Sequence, residues 1–264
     1  MPDDHRGLQR GLALLKDLAQ QGPAGLAVLA RRQGLAKSTA KRALGALVSS
    51  GLARRSLADD LYRANVLLLG AQHRETRLEL AAAPVLRATL AEDPWPSDVM
   101  VRDGLAMRTV ENNRRAALPG LARSGIGERV AIHRTAVGQA YLAWCDKAEA
   151  ARVLALLAAH GVPAAELRRL DQALEATRQR GHAVRPAGFR GGTEVAPRRV
   201  DGLDAIAVPI GRGSGLLGAV NVMWPRRLAV DAGFVAAQKA RLTAISAAIE
   251  AAMATPERPA VPGP

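Results

Sequence analysis

Apolar residues recur at helical spacing through the first fifty positions. Leu8, Leu12, Leu15 and Leu18 step by four, three and three, which predicts an amphipathic helix over 6–20. QQGPAG (20–25) ends it, because Pro and Gly break helices and open turns. Leu26, Leu29 and Ala30 predict a short second helix closing at Gly34. Ala40, Ala43, Leu44, Leu47 and Val48 form the buried stripe of a third helix over 38–50, with Gly51 where a helix C-terminal glycine belongs. The period then changes. LARRSLADDLYRAN (52–65) roughly alternates around Asp59-Asp60 and predicts a small hairpin. Three helices and a hairpin, with a short Gly34-containing turn between helices two and three, outline a winged helix-turn-helix over 1–65.

The pattern from Val66 to Leu90 is again helical and predicts a linker helix over 66–90. AEDPWPSD (91–98) reads as a loop, and VMVRDGLAMRTVEN (99–112) as a hairpin turning at Asp103-Gly104. The run 114–130 is irregular, and RTAVGQAYLAW (134–144) predicts a small-residue helix. EAARVLALLAAHG (149–161) and ELRRLDQALEATRQRGH (166–182) predict two amphipathic helices. AIAVPI and LLGAVNVMW flank GRGSG (211–215) as a second hairpin, and 231–253 predicts a long closing helix. Residues 255–264, with four prolines, read as a disordered tail. Strands and helices do not alternate steadily, so the expected class is α+β, with five or six strands in a domain over 91–254.

Composition changes this picture mainly through charge. At 48% hydrophobic, the 264 residues can build cores, and at 3% aromatic those cores must rest on Leu, Ala and Val. The net charge of +13 favours anionic partners. Its location matters more than its size. Residues 31–55 hold seven basic side chains (Arg31, Arg32, Lys37, Lys41, Arg42, Arg54, Arg55) and no acid. Residues 1–77 carry 13 basic and 6 acidic groups, a net of +7, so that window supplies the whole excess of the head. Cys145 stands alone, which excludes an intrachain disulfide framework and a Cys-based zinc site and fits a reducing cytoplasm. The polar start MPDDHRGLQRG has no apolar signal core, and no apolar run reaches spanning length. The expectation is a soluble cytoplasmic protein without membrane contact.

If the third helix enters a DNA major groove, its apolar stripe faces the first two helices. Lys37 precedes it, and Ser38, Thr39, Lys41 and Arg42 then face the DNA, the hydroxyls and guanidinium reaching base edges or phosphates. Arg54, Arg55 and Arg63 on the wing would bridge to the backbone or minor groove.

Catalytic patterns are missing. The five histidines, His5, His73, His133, His160 and His182, match no metal-ligand spacing, and GRGSG lacks the following Lys of a phosphate loop. Asp98, Glu111 and Glu194 could form carboxylate pairs, but their spacing singles none out. Neither a cofactor nor a catalytic or metal site is expected. A basic head on a large α+β body is instead the layout of a sensor. Trp95, Met107, Val220, Met223 and Trp224 offer apolar pocket walls, and Arg134 and Asn221 offer polar groups, a mix suited to a small organic acid.

At this point the chain resembles the IclR family of bacterial transcriptional regulators over residues 6–253. The resemblance rests on RGLALLKDLA, GLAKSTAKRALGALVSSGLARR and YRANVLLLGA in the head. In the body it rests on HRTAVGQAYLAWC, LEATRQRGHAV and GLDAIAVPIGRGSGLLGAVNV. WPSDVMVRDGLAM, RTAVGQAYLAWC and AIAVPI look most like the MhpR-like branch that controls phenylpropionate and related aromatic-acid catabolism. The resemblance implies a winged helix-turn-helix bound to double-stranded operator DNA. It also implies a GAF-like effector domain with an antiparallel sheet, and homo-oligomers, dimeric or tetrameric. Carried residue by residue, it implies recognition positions at Lys37, Ser38, Thr39, Lys41 and Arg42. Its pocket positions fall near Met107 and at His133, Arg134, Ala205, Asn221 and Met223. The chain departs from the pattern. Ala205-Ile206 stands where many members carry Cys-Ile or Cys-Val, Asn221 and Met223 stand where many carry Ser, and Arg198 and Arg199 replace an acidic stretch. Two other readings share the layout: a GAF-type nucleotide or redox sensor with a DNA-binding head, and a small-molecule enzyme with an accessory basic domain. A third would turn the basic head toward RNA or protein.

Overall fold

The computed structural model describes residues 3–65, 74–91, 93–115, 125–194, 196 and 200–254. The head runs α1 (Asp3–Gln21), α2 (Leu26–Arg32), α3 (Lys37–Ser49), β1 (Ala53–Arg55) and β2 (Tyr62–Ala64). The second and third helices bury most of their predicted stripes, with Val48 exposed, whereas the first helix departs from its own: Leu8 and Leu12 are exposed and Leu14 joins Leu18 in the core. Leu14 and Leu18, Leu29, and Leu44 and Leu47 meet with Ala53 and Tyr62 of the hairpin in one small core. Leu44 has no exposed surface, so truncating it to Ala would cost about 2–5 kcal/mol. β1 and β2 pair antiparallel, with Arg54 opposite Arg63. The head therefore has the three helices and the hairpin of a winged helix-turn-helix, as expected.

The body follows as α4 (Arg74–Thr89), β3 (Asp98–Asp103), β4 (Ala106–Asn112), β5 (Arg129–Ala131), a 3-10 turn at Ile132–Arg134 and α5 (Ala136–Trp144). Then come α6 (Lys147–Ala159), α7 (Ala164–Arg180), β6 (Ala183–Val184), β7 (Leu203–Ile210), β8 (Gly218–Pro225) and α8 (Ala232–Ala254). The six strands form one antiparallel sheet in the order β5-β4-β3-β8-β7-β6. The β3–β4 hairpin turns one residue later than expected. Asp103 pairs with Ala106, which leaves Gly104-Leu105 as the two-residue loop, and Gly104 takes the positive φ (64°) that such a loop needs at its first position.

Alternation along the strands assigns two cores to the two faces. Val99, Val101, Val110, Ile206, Val208, Val220 and Val222 point toward α4 and α8. Met100, Met107, Ala207 and Ala219 point toward α5, α6 and α7. Helices therefore cover both faces, and the class is α+β with an antiparallel sheet, as expected. The two edge strands, β5 and β6, are three and two residues long and lacked a pattern long enough to read in the sequence. Positions 66–73 of the expected linker helix, Arg198, Arg199 and the tail 255–264 lie outside the described residues.

Candidate functional site

α3 presents its basic residues to solvent. Lys37, Ser38, Lys41, Arg42, Gly45 and Ser49 are exposed and Thr39 is half-buried, while Ala40, Leu44 and Leu47 are buried. No side chain caps its N-terminus and no acid lies in its first turn, so free amides and cations sit at one end of the helix. Asp17 of α1 fixes α2 against α1. It accepts from Arg32 Nη1 at 3.1 Å and from Gln33 Nε2 at 2.7 Å, next to the turn that leads into α3. The exposed basic face is thus carried on a braced helix.

The wing departs from expectation. Arg54 is only 7% exposed. Its guanidinium donates to Glu79 of α4 at 2.6 Å and to Glu111 of β4 at 3.1 Å, so it turns inward and offers DNA nothing. Arg63 is largely covered and makes two bonds to Asp59, at 2.9 and 2.7 Å. Arg55 stays accessible but pairs with Asp60 at 2.6 Å and lies over the Tyr62 ring. The wing carries two carboxylates at its tip as well as its cations. Hairpin closure places Asp59 and Asp60 beside those same arginines, because opposite charges near 3 Å attract strongly wherever water is partly excluded.

In the body, a cavity of about 70 Å³ lies on the α5 face of the sheet. That is room for roughly five water molecules. Met100, Val130, Val137, Phe189, Ala205 and Met223 give it apolar walls. Its polar wall is dense. Asp98 accepts from Arg114 Nε at 2.7 Å and Nη2 at 2.5 Å, and Asp201 accepts from Arg185 at 2.8 Å. Glu128 is a third carboxylate on the wall. Burial works against the charge on Arg114, yet Asp98 holds the guanidinium pKa above its ordinary value. At Arg185 burial wins over Asp201, and the pKa is lowered. The Arg185 guanidinium also stacks on Phe189, 4.7 Å from the ring centroid. Asn221 Oδ1 accepts from the Asp98 backbone N–H at 2.8 Å and fixes that end of β3 to β8.

Two features of this cavity ask for a ligand. Thr109 is 1% exposed, and its Oγ1 has no hydrogen-bond partner among the described residues. The N-terminus of α5 also opens onto the cavity at Thr135, Ala136 and Val137. Thr135 caps the helix by accepting from the Gly138 N–H at 3.3 Å, whereas the Ala136 and Val137 amides meet no acceptor among the described residues. Gly138 makes this placement possible. A side chain there would collide with the backbone of Ile132, so only glycine lets α5 begin this close to the preceding turn. Two orphan amides, a positive helix end and an unpaired hydroxyl suit an anionic oxygen ligand.

Of the expected pocket residues, Ala205, Asn221 and Met223 line the cavity. Met107 does not; it is fully buried in the α5–α7 core. Trp95 is on the opposite face, edge-on to Phe234 of α8. His133 and Arg134 line an adjoining cleft with Glu166 and Arg169 instead. Arg134 is exposed and 3.8 Å from Glu166, so the cations of the cavity are Arg114 and Arg185. From the sequence Asp98 stands out only as a possible member of a carboxylate pair, and Thr109, Arg114, Glu128, Arg185 and Asp201 do not stand out at all. One signal was available: closing the 99–112 hairpin brings Asp98 opposite Asn112, within reach of Arg114.

Cys145 is half-buried, and burial, reinforced by Glu149, pushes its thiol up to about 11, which leaves little thiolate for redox chemistry. Among the described residues no group of three His, Cys, Asp or Glu could hold a metal ion, and no helix is long and apolar enough to cross a membrane.

Known proteins share this arrangement. The profile of the IclR helix-turn-helix domain matches residues 7–56, and that of the bacterial transcriptional regulator IclR C-terminal domain matches residues 98–251. Similar solved structures include an IclR-family regulator from Brucella abortus, at 22% identity and a TM-score of 0.53 over 95% of this chain and 93% of that one. An IclR homologue from Microbacterium hydrocarbonoxydans, complexed with 4-hydroxybenzoate, matches at 19% identity and a TM-score of 0.53 over 94% of this chain and 98% of that one. A homologue from Microbacterium sp. strain HM58-2 matches at 18% identity and a TM-score of 0.54 over 96% and 99%. With both domains matched in order, the chain belongs to the IclR family of bacterial transcriptional regulators, a family of DNA-binding, effector-controlled proteins and not of enzymes.

Proposed function

We propose that the C-terminal cavity binds a small single-ring organic acid and that its occupancy changes the affinity of the head for operator DNA. One observation carries this reading: the buried Thr109 hydroxyl and the two amides at the start of α5, all without a partner among the described residues, share one cavity. The acid's carboxylate accepts from the Ala136 and Val137 amides, with the positive helix end behind them. The ring lies against Met100, Val137 and Met223, and a ring hydroxyl or second oxygen meets Thr109 or the Arg114–Asp98 pair. The 4-hydroxybenzoate complex of the Microbacterium hydrocarbonoxydans homologue makes hydroxylated and plain aromatic acids the first compounds to try, in line with the aromatic-acid branch suggested by the sequence.

In the head, Lys37, Ser38, Thr39, Lys41 and Arg42 of α3 meet the major groove, and Arg55 is the one wing arginine with enough exposure to join them. The protein acts in the cytoplasm as a homo-oligomer, with paired heads reading two half-sites.

A thermal-shift panel of benzoate, 4-hydroxybenzoate and 3-phenylpropionate tests the effector. At least one acid should raise the melting temperature of the wild type. Thr109→Val and Arg114→Met should lose or weaken the shift, while Arg134→Ala keeps it. An acid that stabilises all three variants as well as the wild type would put the site elsewhere.

A further inference from the structure

Arg54 leaves the head to pair with the body. Nη2 lies 2.6 Å from Glu79 of α4, and Nη1 lies 3.1 Å from Glu111 of β4. Ser56, also of the wing, donates its hydroxyl to Glu111 Oε1 at 3.0 Å. Glu111 has no exposed surface, and it also accepts from the Asn112 N–H at 3.0 Å. The sensor sheet thus buries a carboxylate whose cation and one of whose hydrogen bonds come from the DNA-binding head. A buried charge stripped of its partner is strongly destabilising, so this contact has two states, made or broken, with little between.

The same end of the sheet forms the cavity wall. Thr109 lies two residues before Glu111 on β4, and Asp98 pairs with Asn112, the residue after it. The β-bulge between Val99 and Met100 falls between the Val99–Glu111 and Met100–Thr109 pairs, where the ladder is already interrupted. Asn113 continues the connection: it accepts from the Ser97 N–H at 2.7 Å and donates to the Leu86 carbonyl of α4 at 3.1 Å.

We propose that Arg54 of the wing is a partner of the sensor sheet and not of DNA, and that the Arg54–Glu79–Glu111 cluster, with Ser56, is the joint through which the cavity acts on the head. The joint stands on its own geometry; the statement that the cavity acts through it rests on the effector reading above. Movement at Asp98 or Thr109 on ligand entry shifts the bulged end of β4. Glu111 then either keeps Arg54 or releases it, and with it the wing and α3.

The test uses the full-length chain with Arg54→Met and Glu111→Gln, and with Ser56→Ala as a milder variant that removes one hydrogen bond. Hydrogen exchange is measured without ligand in the wing (52–64) and at the end of β4 (109–113). A joint requires each variant to raise exchange on both sides, by about tenfold or more for the charge variants. A rise confined to the mutated side overturns the joint. DNA from upstream of its own gene gives a second readout. Arg54→Met should keep the wild-type slope of log affinity against log salt. A slope shallower by about one unit would mean that Arg54 neutralises a phosphate, and would overturn the proposal. Benzoate and 4-hydroxybenzoate serve as probes of the relay. An acid that stabilises the wild type and alters its operator affinity should still stabilise Arg54→Met but no longer alter DNA binding. Persistence of that alteration overturns the relay. If no acid stabilises the wild type, the effector reading fails, and the joint is decided by exchange alone.

Discussion

Replacing Gly138 with Ala should cost the protein several degrees of stability, against the usual trend for a helix. Gly138 is buried in α5, where propensity alone would favour Ala by about 1 kcal/mol. Packing opposes this and wins. A Cβ at 138 would overlap the carbonyl oxygen of Ile132 and lie 2.7 Å from its Cα. Carbon–carbon contact needs about 3.5–4.0 Å, so the turn or the helix must retreat by roughly 1 Å. The obstacle is backbone, which cannot rotate away as a side chain tip can. Overpacking usually costs about 1–3 kcal/mol, and a backbone clash belongs at the top of that range or above it. After the propensity gain, a net loss of at least about 2 kcal/mol remains, or about 4–8 °C at the 2–4 °C per kcal/mol typical of a domain of this size. Differential scanning calorimetry of the full chain measures it. Gly45 of α3 is the control: it has open space around its Cβ position, so Gly45→Ala should raise the melting temperature. Gly138→Ala should also blunt stabilisation by the acid, because the displaced helix start carries the Ala136 and Val137 amides. A Gly138→Ala protein as stable as the wild type would refute the close approach of α5 to the Ile132 turn.

Other expectations concern the head, the histidines and the cysteine. Arg42→Ala should weaken operator binding and flatten its salt dependence by about one unit; gel shifts across a salt series that show no change would remove Arg42 from the interface. Burial lowers the pKa of both His133 and His182, more than Glu166 or the Arg180 carbonyl can offset. Below the ordinary histidine value of 6.5 the unfolded chain therefore binds protons that the folded state refuses. Stability should fall as pH drops from 7.5 through 6.5 toward 5.5, and His182→Gln should reduce the slope; a flat melting temperature over that window would contradict the assignment. Cys145, with its thiol pushed up to about 11, should react with iodoacetamide at pH 8 far more slowly in the folded than in the unfolded chain. Cys145→Ser should leave operator binding intact.

Much of the head could be read from the chain itself. Leu18, Leu29, Leu44 and Leu47 are core residues that the period predicts, because helical packing depends on a local period, which any window of sequence displays. In α1 the period does not pick the buried face: Leu14 is buried, while Leu8 and Leu12 are exposed. The exposed face of α3 followed from the same period, since Lys41 and Arg42 must point away when Ala40 and Leu44 point in. The α+β class followed from the order of the segments, and the β3–β4 and β7–β8 hairpins from their turn residues. Even the turn that was misplaced by one residue was misplaced within the right hairpin.

The site was decided by tertiary structure. Thr109, Arg114, Glu128, Arg185 and Asp201 come from five separate stretches, and only the closed sheet and the loop before β7 bring them to one cavity. Arg54 shows the same limit from the other side. It lies in an acid-free run over 31–55 and reads as a DNA contact, yet Glu79 and Glu111, 25 and 57 residues away, take it into the interior. Apolar periodicity is a property of one element and can be read along the chain. The partner of a charge is set by whichever group the fold brings within about 3 Å, because charge pairing is short-ranged in distance but not in sequence.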